Sequence, residues 1–208
     1  MRLILASISP RRREILALLG LPFETLAPDF DETLSSHRRA EDEVLEFALG
    51  KAQSVAKNNP AALVIGSDTM ILIGGEKIGK PNGAENARQI LRALSGKNHR
   101  ILTSVALLDG TGGPGLRTVE EVSVKMRAFT DAEIERYLCQ NESLDKAGAY
   151  SIQGAGGALI ESIGGDYLAA VGLPLKPIAR YLASRSISLP VDVERLYAEK
   201  PFLNWRDF

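Results

Sequence analysis

The sequence predicts an α/β protein built as one compact unit. Short apolar runs of strand type alternate with longer amphipathic runs of helix type, from the first residues to about residue 182. The 208 residues suffice for one large domain, or two closely joined lobes, with a real core. No internal repeat or long linker divides them. A hydrophobic fraction of 45% and a charged fraction of 25% are those of an ordinary folded protein, so the elements can be placed on the usual rules.

Arg2 to Ala6 is a short buried strand. Ser9-Pro10 supplies an N-cap and a proline at the first helical position, and the helix runs to Leu19, where Gly20 ends it. Phe23 to Leu26 is a second strand, followed by the acidic loop APDFDET. Glu41 to Lys57 is a long helix with acids in its first turn. Leu63 to Ile65 and Met70 to Ile73 are strands separated by GSDT, and Gly74-Gly75 turns the chain back into Glu76 to Ile78. A helix covers Ala84 to Leu94. Two long strands, His99 to Leu108 and Thr118 to Phe129, flank the turn DGTGGPG. Thr130-Asp131 opens a helix to about Gln140. A glycine-rich stretch, IQGAGGALIESIGGDY, precedes a helix from Gly172 to Leu182 that contains Pro174 and Pro177. The remainder reads as an irregular tail.

The bulk properties exclude several functions. A net charge of −1 with no basic, aromatic-bearing stripe argues against nucleic acid as a partner. A single cysteine, Cys139, permits no internal disulfide and suits a reducing compartment. His37 and His99 lie far apart without nearby cysteines, which disfavours structural zinc. The opening MRLILASISPRR lacks a signal-peptide apolar region, and no apolar run is long enough to span a membrane. The expectation is a cytoplasmic protein with no membrane partner.

Charged residues in apolar surroundings mark a site. At 100° per residue, Arg11 and Arg12 extend the stripe formed by Ile15, Leu16, Leu18 and Leu19, whereas Arg13 points to solvent. Two inward guanidinium groups beside free helix N–H groups, with Ser7 and Ser9 adjacent, describe an anion site suited to phosphate. The competing reading is a helix start whose arginines bend out to water. Lys51 edges the apolar face of Val44, Ala48, Ala52 and Val55, and a lone lysine there snorkels to solvent unless other phosphate ligands converge on it. Asp68 interrupts an apolar region and must be hydrogen-bonded, paired or metal-bound, either as a catalytic group or as a turn aspartate capping N–H groups. Glu32 competes with Asp29 and Asp31, and spacing does not choose among them. Lys80 is held extended by Pro81, either toward a ligand or on a surface loop. Cations and acids together suit a polyphosphate with magnesium, which takes one or two carboxylates and lets phosphates complete its shell. No Walker A sequence is present, and the glycines near 154 lack the context of a dinucleotide fingerprint.

These residues resemble the Maf family of nucleotide pyrophosphatases. The likeness rests on LILASISPRRREIL, DET, the lysine in GKAQ, GSDT, GKP, LSG, LDKAGAYSIQG and VGLPL, in that order from Leu3 to about Leu182. The resemblance implies the Maf/inosine-triphosphatase-like fold: an elongated mixed sheet with flanking helices, forming two lobes around a nucleotide cleft. It implies a domain over residues 1–184 and a tail, 185–208, outside the shared motifs. It implies hydrolysis of a nucleoside triphosphate to the monophosphate and pyrophosphate, with Mg2+ or Mn2+. Asp68 is then the general base or metal-organising carboxylate, and Glu32 and Asp68 are the metal ligands, which breaks the tie among the acids. Ser7, Arg11, Arg12, Lys51 and Lys80 become phosphate ligands. Members resembling the dTTP/UTP enzymes carry arginine, threonine and glutamine where this chain has Arg11, Thr69 and Gln153. The sister group acting on 7-methyl-GTP carries tryptophan, glutamine and glutamate. An amide at Gln153 could read a uracil-type O4 and N3–H; alternatively it caps the glycine-rich turn. The family often forms homodimers. Its name keeps a second function in play, a nucleotide-binding regulator of cell division without turnover. Such a binder has no use for Asp68 and Glu32, which repel phosphate without metal.

Overall fold

The computed structural model describes residues 2–110 and 115–208. The elements in chain order are β1 (Arg2–Ala6), α1 (Pro10–Ala17), β2 (Glu24–Leu26), α2 (Ala40–Ala56), β3 (Ala62–Ile73), β4 (Glu76–Ile78), α3 (Ala84–Leu94), β5 (Asn98–Asp109), β6 (Leu116–Met126), α4 (Asp131–Leu138), β7 (Ile160–Gly164), α5 (Tyr167–Val171), α6 (Leu175–Ser184) and α7 (Val193–Glu199), with short 3-10 turns between some of them. The strands form one mixed sheet in the order β2-β1-β3-β5-β6-β7, with β4 added to β3. β1 runs parallel to β2 and β3, and the remaining described pairings are antiparallel. This is the mixed α/β architecture expected. Among the described residues, no helix is long and apolar enough to cross a membrane.

Helices cover both faces of the sheet because strand side chains alternate. On one face α2 packs its buried stripe, Val44, Phe47, Ala52 and Val55, against Ile4, Val64, Met70 and Leu102. The opposite face carries the larger core, where Leu5, Ile65 and Val105 meet Ile15, Leu16, Leu91 and Leu168. The long helix lies close to the sheet at one point. A Cβ added at Gly66 would stand 2.1 Å from the Ala48 carbonyl oxygen and 2.8 Å from the Ala52 nitrogen. Only glycine permits that approach.

Four expectations are corrected. GSDT does not separate two strands, because β3 is continuous and pairs with β5 from Leu63 to Leu72. Its polar residues do not break the strand because they are satisfied sideways: Ser67 donates to the carbonyls of Ser104 and Gly172, and Asp68 accepts from Lys51. The turn-cap reading of Asp68 therefore fails. The first helix ends at Ala17, two residues early, and Gly20 turns the chain at φ +69°. The helix expected from Gly172 starts three residues later, as α6: Gly172, at φ +133°, instead closes the short α5 before it, and Pro174 caps α6, with Pro177 in its first turn where a missing N–H costs nothing. The tail is partly ordered as α7, capped by Asp192, and buries Trp205. Of the expected DGTGGPG turn, residues 111–114 lie outside the described residues.

One feature of the register makes a crevice. β1 accompanies β3 only as far as Ala6 opposite Gly66, and β4 joins the same edge from Ile71. Ser67 to Met70 are thus left without a strand neighbour on that side. Crevices beyond the carboxyl ends of parallel strands are the common binding places of α/β sheets.

Candidate active site

A cavity of about 520 Å³ fills this gap, and Ser7, Arg11, Arg12, Glu32, Lys51, Asp68, Thr69, Lys80 and Gln153 all line it. Residues spread over most of the chain are therefore brought to one place. β1 ends and α1 begins at its rim, which delivers Ser7 and the two arginines. Ser9 caps α1, accepting from the Arg12 N–H, while Ser7 Oγ accepts from the Ser9 N–H at 3.1 Å and keeps its own hydrogen for a ligand.

The two arginines differ. Arg12 donates from Nε to the Gly172 carbonyl at 2.9 Å and from Nη2 to Thr69 Oγ1 at 3.2 Å. Burial lowers its proton affinity, against which the charges of Asp68 and Glu32 act. Arg11 forms no hydrogen bond or salt bridge to a described residue; burial lowers its proton affinity too, opposed by the charge of Asp145. Arg13 is exposed, as the helical wheel requires. The solvated-arginine reading is thus overturned for the inward pair.

Lys51 does not snorkel. Its residue is 5% exposed, and its ammonium donates to Asp68 Oδ1 at 2.6 Å and pairs with the Glu32 carboxylate. Placement follows from the close approach at Gly66: α2 and β3 touch there, and Lys51 and Asp68 face each other immediately beyond. Glu32, not Asp29 or Asp31, reaches this ammonium; Asp29 is exposed and meets only Lys57, at 3.9 Å, among described cations. The loop carrying Glu32 is braced from beneath by a buried pair. Lys77 Nζ donates to Glu43 at 2.7 Å and to the carbonyls of Ser35 and Arg38.

Asp68 and Glu32 are driven apart in acidity. Burial pushes the Asp68 carboxyl above its ordinary value, despite Lys51 and Arg12 beside it. Burial also acts on Glu32, but this side chain is 44% exposed, and the Lys51 hydrogen bond with the charges of Lys51, Lys80 and Arg12 holds it below its ordinary value. Pairs of carboxyls split in this way are how acid–base roles are assigned by environment. Both are hard oxygen donors converging on one ammonium, a donor set that fits a magnesium-type ion completed by phosphate oxygens. No group of three His, Cys, Asp or Glu side chains suited to a metal occurs among the described residues.

Thr69 is engaged from two sides, by Arg12 and by the Thr103 hydroxyl at 3.2 Å. Lys80 is exposed and forms no ion pair with a described residue. The Gln153 side-chain amide has no hydrogen-bond partner among them either. Two further charged residues line the cavity and were not singled out from sequence: Asp145 and Lys146, which pair at 2.6 Å. They lie in LDKAGAY, where a loop supplies no periodicity to reveal which side chains point inward.

Comparison with known proteins finds relatives that match most of the chain. Residues 2–185 match the family profile described as Maf-like protein. The chain is 44% identical over 174 residues to a dTTP/UTP pyrophosphatase of Dictyoglomus thermophilum, covering 83% of this chain and 90% of the relative. It is 44% identical over 191 residues to one of Anaeromyxobacter dehalogenans, covering 91% and 96%. Among solved structures, the Staphylococcus aureus Ham1 protein aligns with a TM-score of 0.44 at 18% identity, over 61% of this chain and 72% of the other.

Proposed function

The chain belongs to the Maf family, and from that premise we propose that it is a nucleoside triphosphate pyrophosphatase. The substrates are dTTP and UTP, and the products are the nucleoside monophosphate and pyrophosphate. The observation that carries the proposal is the pairing of a buried, proton-attracting Asp68 with a more acidic Glu32 around Lys51, at the open edge of β3. Relatives named for this activity support the substrate.

Each residue's role follows from its charge and place. Arg11, Lys80 and the Ser7 hydroxyl have donors to spare and hold the phosphate chain. Arg12 is clamped to Gly172 and Thr69, and supplies a fixed positive charge that needs no reorganisation as the reaction proceeds. Asp68 accepts a proton from water, whose oxygen bonds to the α-phosphorus; the bond to the bridging oxygen breaks and pyrophosphate leaves with the electron pair. Lys51 keeps Asp68 ionised and aimed. A divalent cation held by Glu32 and Asp68 would supply further charge neutralisation. Gln153 offers a donor and an acceptor to a pyrimidine edge. A reducing cytoplasm, in which exposed Cys139 stays a thiol, completes the reading.

The test is a panel of nucleoside triphosphates with Mg2+ or Mn2+, separating pyrophosphate from phosphate, on wild type and Asp68→Asn. The expected result is pyrophosphate from dTTP and UTP with wild type, and nucleotide binding without turnover in the variant. No turnover by wild type with binding intact would overturn the enzyme and favour a nucleotide-binding regulator.

A further inference from the structure

We propose that Asn204, in the segment beyond the family match, is a positioning residue that aims Gln153 and so sets base selectivity without touching the nucleotide. The inference rests on the pyrophosphatase reading above and deepens it.

Gln153 lies in neither a strand nor an α-helix, and no described residue hydrogen-bonds its side chain. Its backbone fixes where the side chain starts and the direction of its Cα–Cβ bond, and so the region its amide can reach. That backbone is tied down carbonyl by carbonyl. Asn204 Nδ2 donates to the carbonyls of Ile152 at 3.0 Å and Gly154 at 3.1 Å, one on each side of Gln153. The Gln153 carbonyl itself accepts from the Ser151 hydroxyl. An amide nitrogen carries two hydrogens, and both are used; since both partners only accept, the orientation of the Asn204 amide is fixed. Gly154 sits at φ +92°, ψ −150°, a conformation that residues with a Cβ avoid and glycine adopts readily.

The clamp is itself held. Asn204 adopts φ +59°, a left-handed conformation that asparagine tolerates better than most residues. The carbonyl before it, of Leu203, accepts from Tyr167 Oη at 2.5 Å. The residue after it, Trp205, is 3% exposed, stacks on Tyr167 at 5.8 Å and meets Tyr197 edge-on at 4.9 Å. Tyr167 opens α5, whose Ala170 and Val171 line the cavity. The Gln153 turn is thus referenced through Asn204 to the wall of the same cavity. The C-terminal segment acts as a bracket rather than a loose tail.

The experiment measures pyrophosphate release from dTTP, UTP, dCTP and dGTP by wild type, Asn204→Ala, Asn204→Asp and Arg206→Ala. Arg206 donates only to the Glu199 carbonyl among described residues and serves as the control within the segment. Backbone hydrogen exchange over residues 151–157 is followed in the same proteins. The expected result for Asn204→Ala is a rise of roughly tenfold in KM for dTTP and UTP with kcat within about twofold. The preference over dCTP and dGTP narrows, and exchange over 151–157 quickens while α2 is unchanged. Asn204→Asp, which turns a carboxylate toward two carbonyls, does more; Arg206→Ala matches wild type. An unchanged substrate ranking, or an equal loss on all four nucleotides, overturns the proposal. If wild type releases no pyrophosphate, the pyrophosphatase reading fails by itself. Exchange over 151–157 and relative affinity for the four nucleotides then decide the Asn204 assignment, and no change in either overturns it.

Discussion

At the residue scale, Asp68 and Glu32 share an ammonium yet are shifted in opposite directions, and exposure explains why. A buried carboxylate loses water and gains proton affinity; a half-exposed one keeps water and profits from every cation nearby. Turnover needs ionised Asp68, so kcat/KM, which reports groups of the free enzyme, should fall as pH drops, with a midpoint above the ordinary aspartate value of 3.8. A pH–rate profile checks this, and a midpoint at or below that value would remove Asp68 as the base. Gln153→Glu should move preference away from dTTP and UTP, since a carboxylate cannot donate to a carbonyl on the base; an unchanged ranking in the nucleotide panel would remove Gln153 from base reading. His99 gives a third prediction. It is 3% exposed, its Nε2 meets Tyr150 Oη at 2.7 Å, and its Nδ1 has no partner among the described residues. Burial lowers its pKa from 6.5 to about 4. Between those values the unfolded chain binds a proton that the folded one refuses, so stability rises with pH through this window and is lost as pH falls. The shift corresponds to about 3 kcal/mol. Tm should therefore drop between pH 7 and pH 4, and drop less in His99→Gln.

At the element scale, the site depends on how closely α2 lies against β3. Gly66 is the point of contact, with helix backbone where any Cβ would go. Gly66→Ala must push the helix off the strand or fail to fold tightly. The expected cost is about 3 kcal/mol, in the range of core overpacking. Turnover should fall with it, because Lys51 and Asp68 are carried by the two elements that separate. Thermal unfolding and pyrophosphate release on one sample check both parts; a stable, active variant would show that the contact is not what sets the ion pair. The same scale explains why β3 is one strand where the sequence predicts two. Its interruption GSDT is polar in sequence, but each polar group finds a partner across the sheet or on a helix, and such partners are invisible to a local window.

At the scale of the whole molecule, a net charge of −1 conceals a local field. Five basic side chains and three acidic ones line the cavity. An anionic substrate is drawn to that excess, and added salt should raise KM for dTTP while leaving kcat little changed. Removing divalent ions with EDTA should abolish turnover, with recovery on adding Mg2+ or Mn2+; full activity in EDTA would exclude Glu32 and Asp68 as ligands for a required metal.

The sequence by itself determined the element types, the inward face of α1 and the ordered motifs that identified the family. These are local properties, written in periodicity, caps and short-range residue identity. It also singled out the charged residues that later met in one cavity. Tertiary structure decided what those residues do to one another. Glu32 was chosen over Asp29 and Asp31 because only it reaches Lys51, and Lys51 was kept from solvent because α2 lies tight on β3. Asp145 and Lys146, paired with each other in a loop, reach the cavity through the path of the chain, and Asn204, in a segment that read as irregular, binds carbonyls 52 and 50 residues away. Pairings of that kind depend on the register of the sheet and the path of the chain, which no window of neighbouring residues contains.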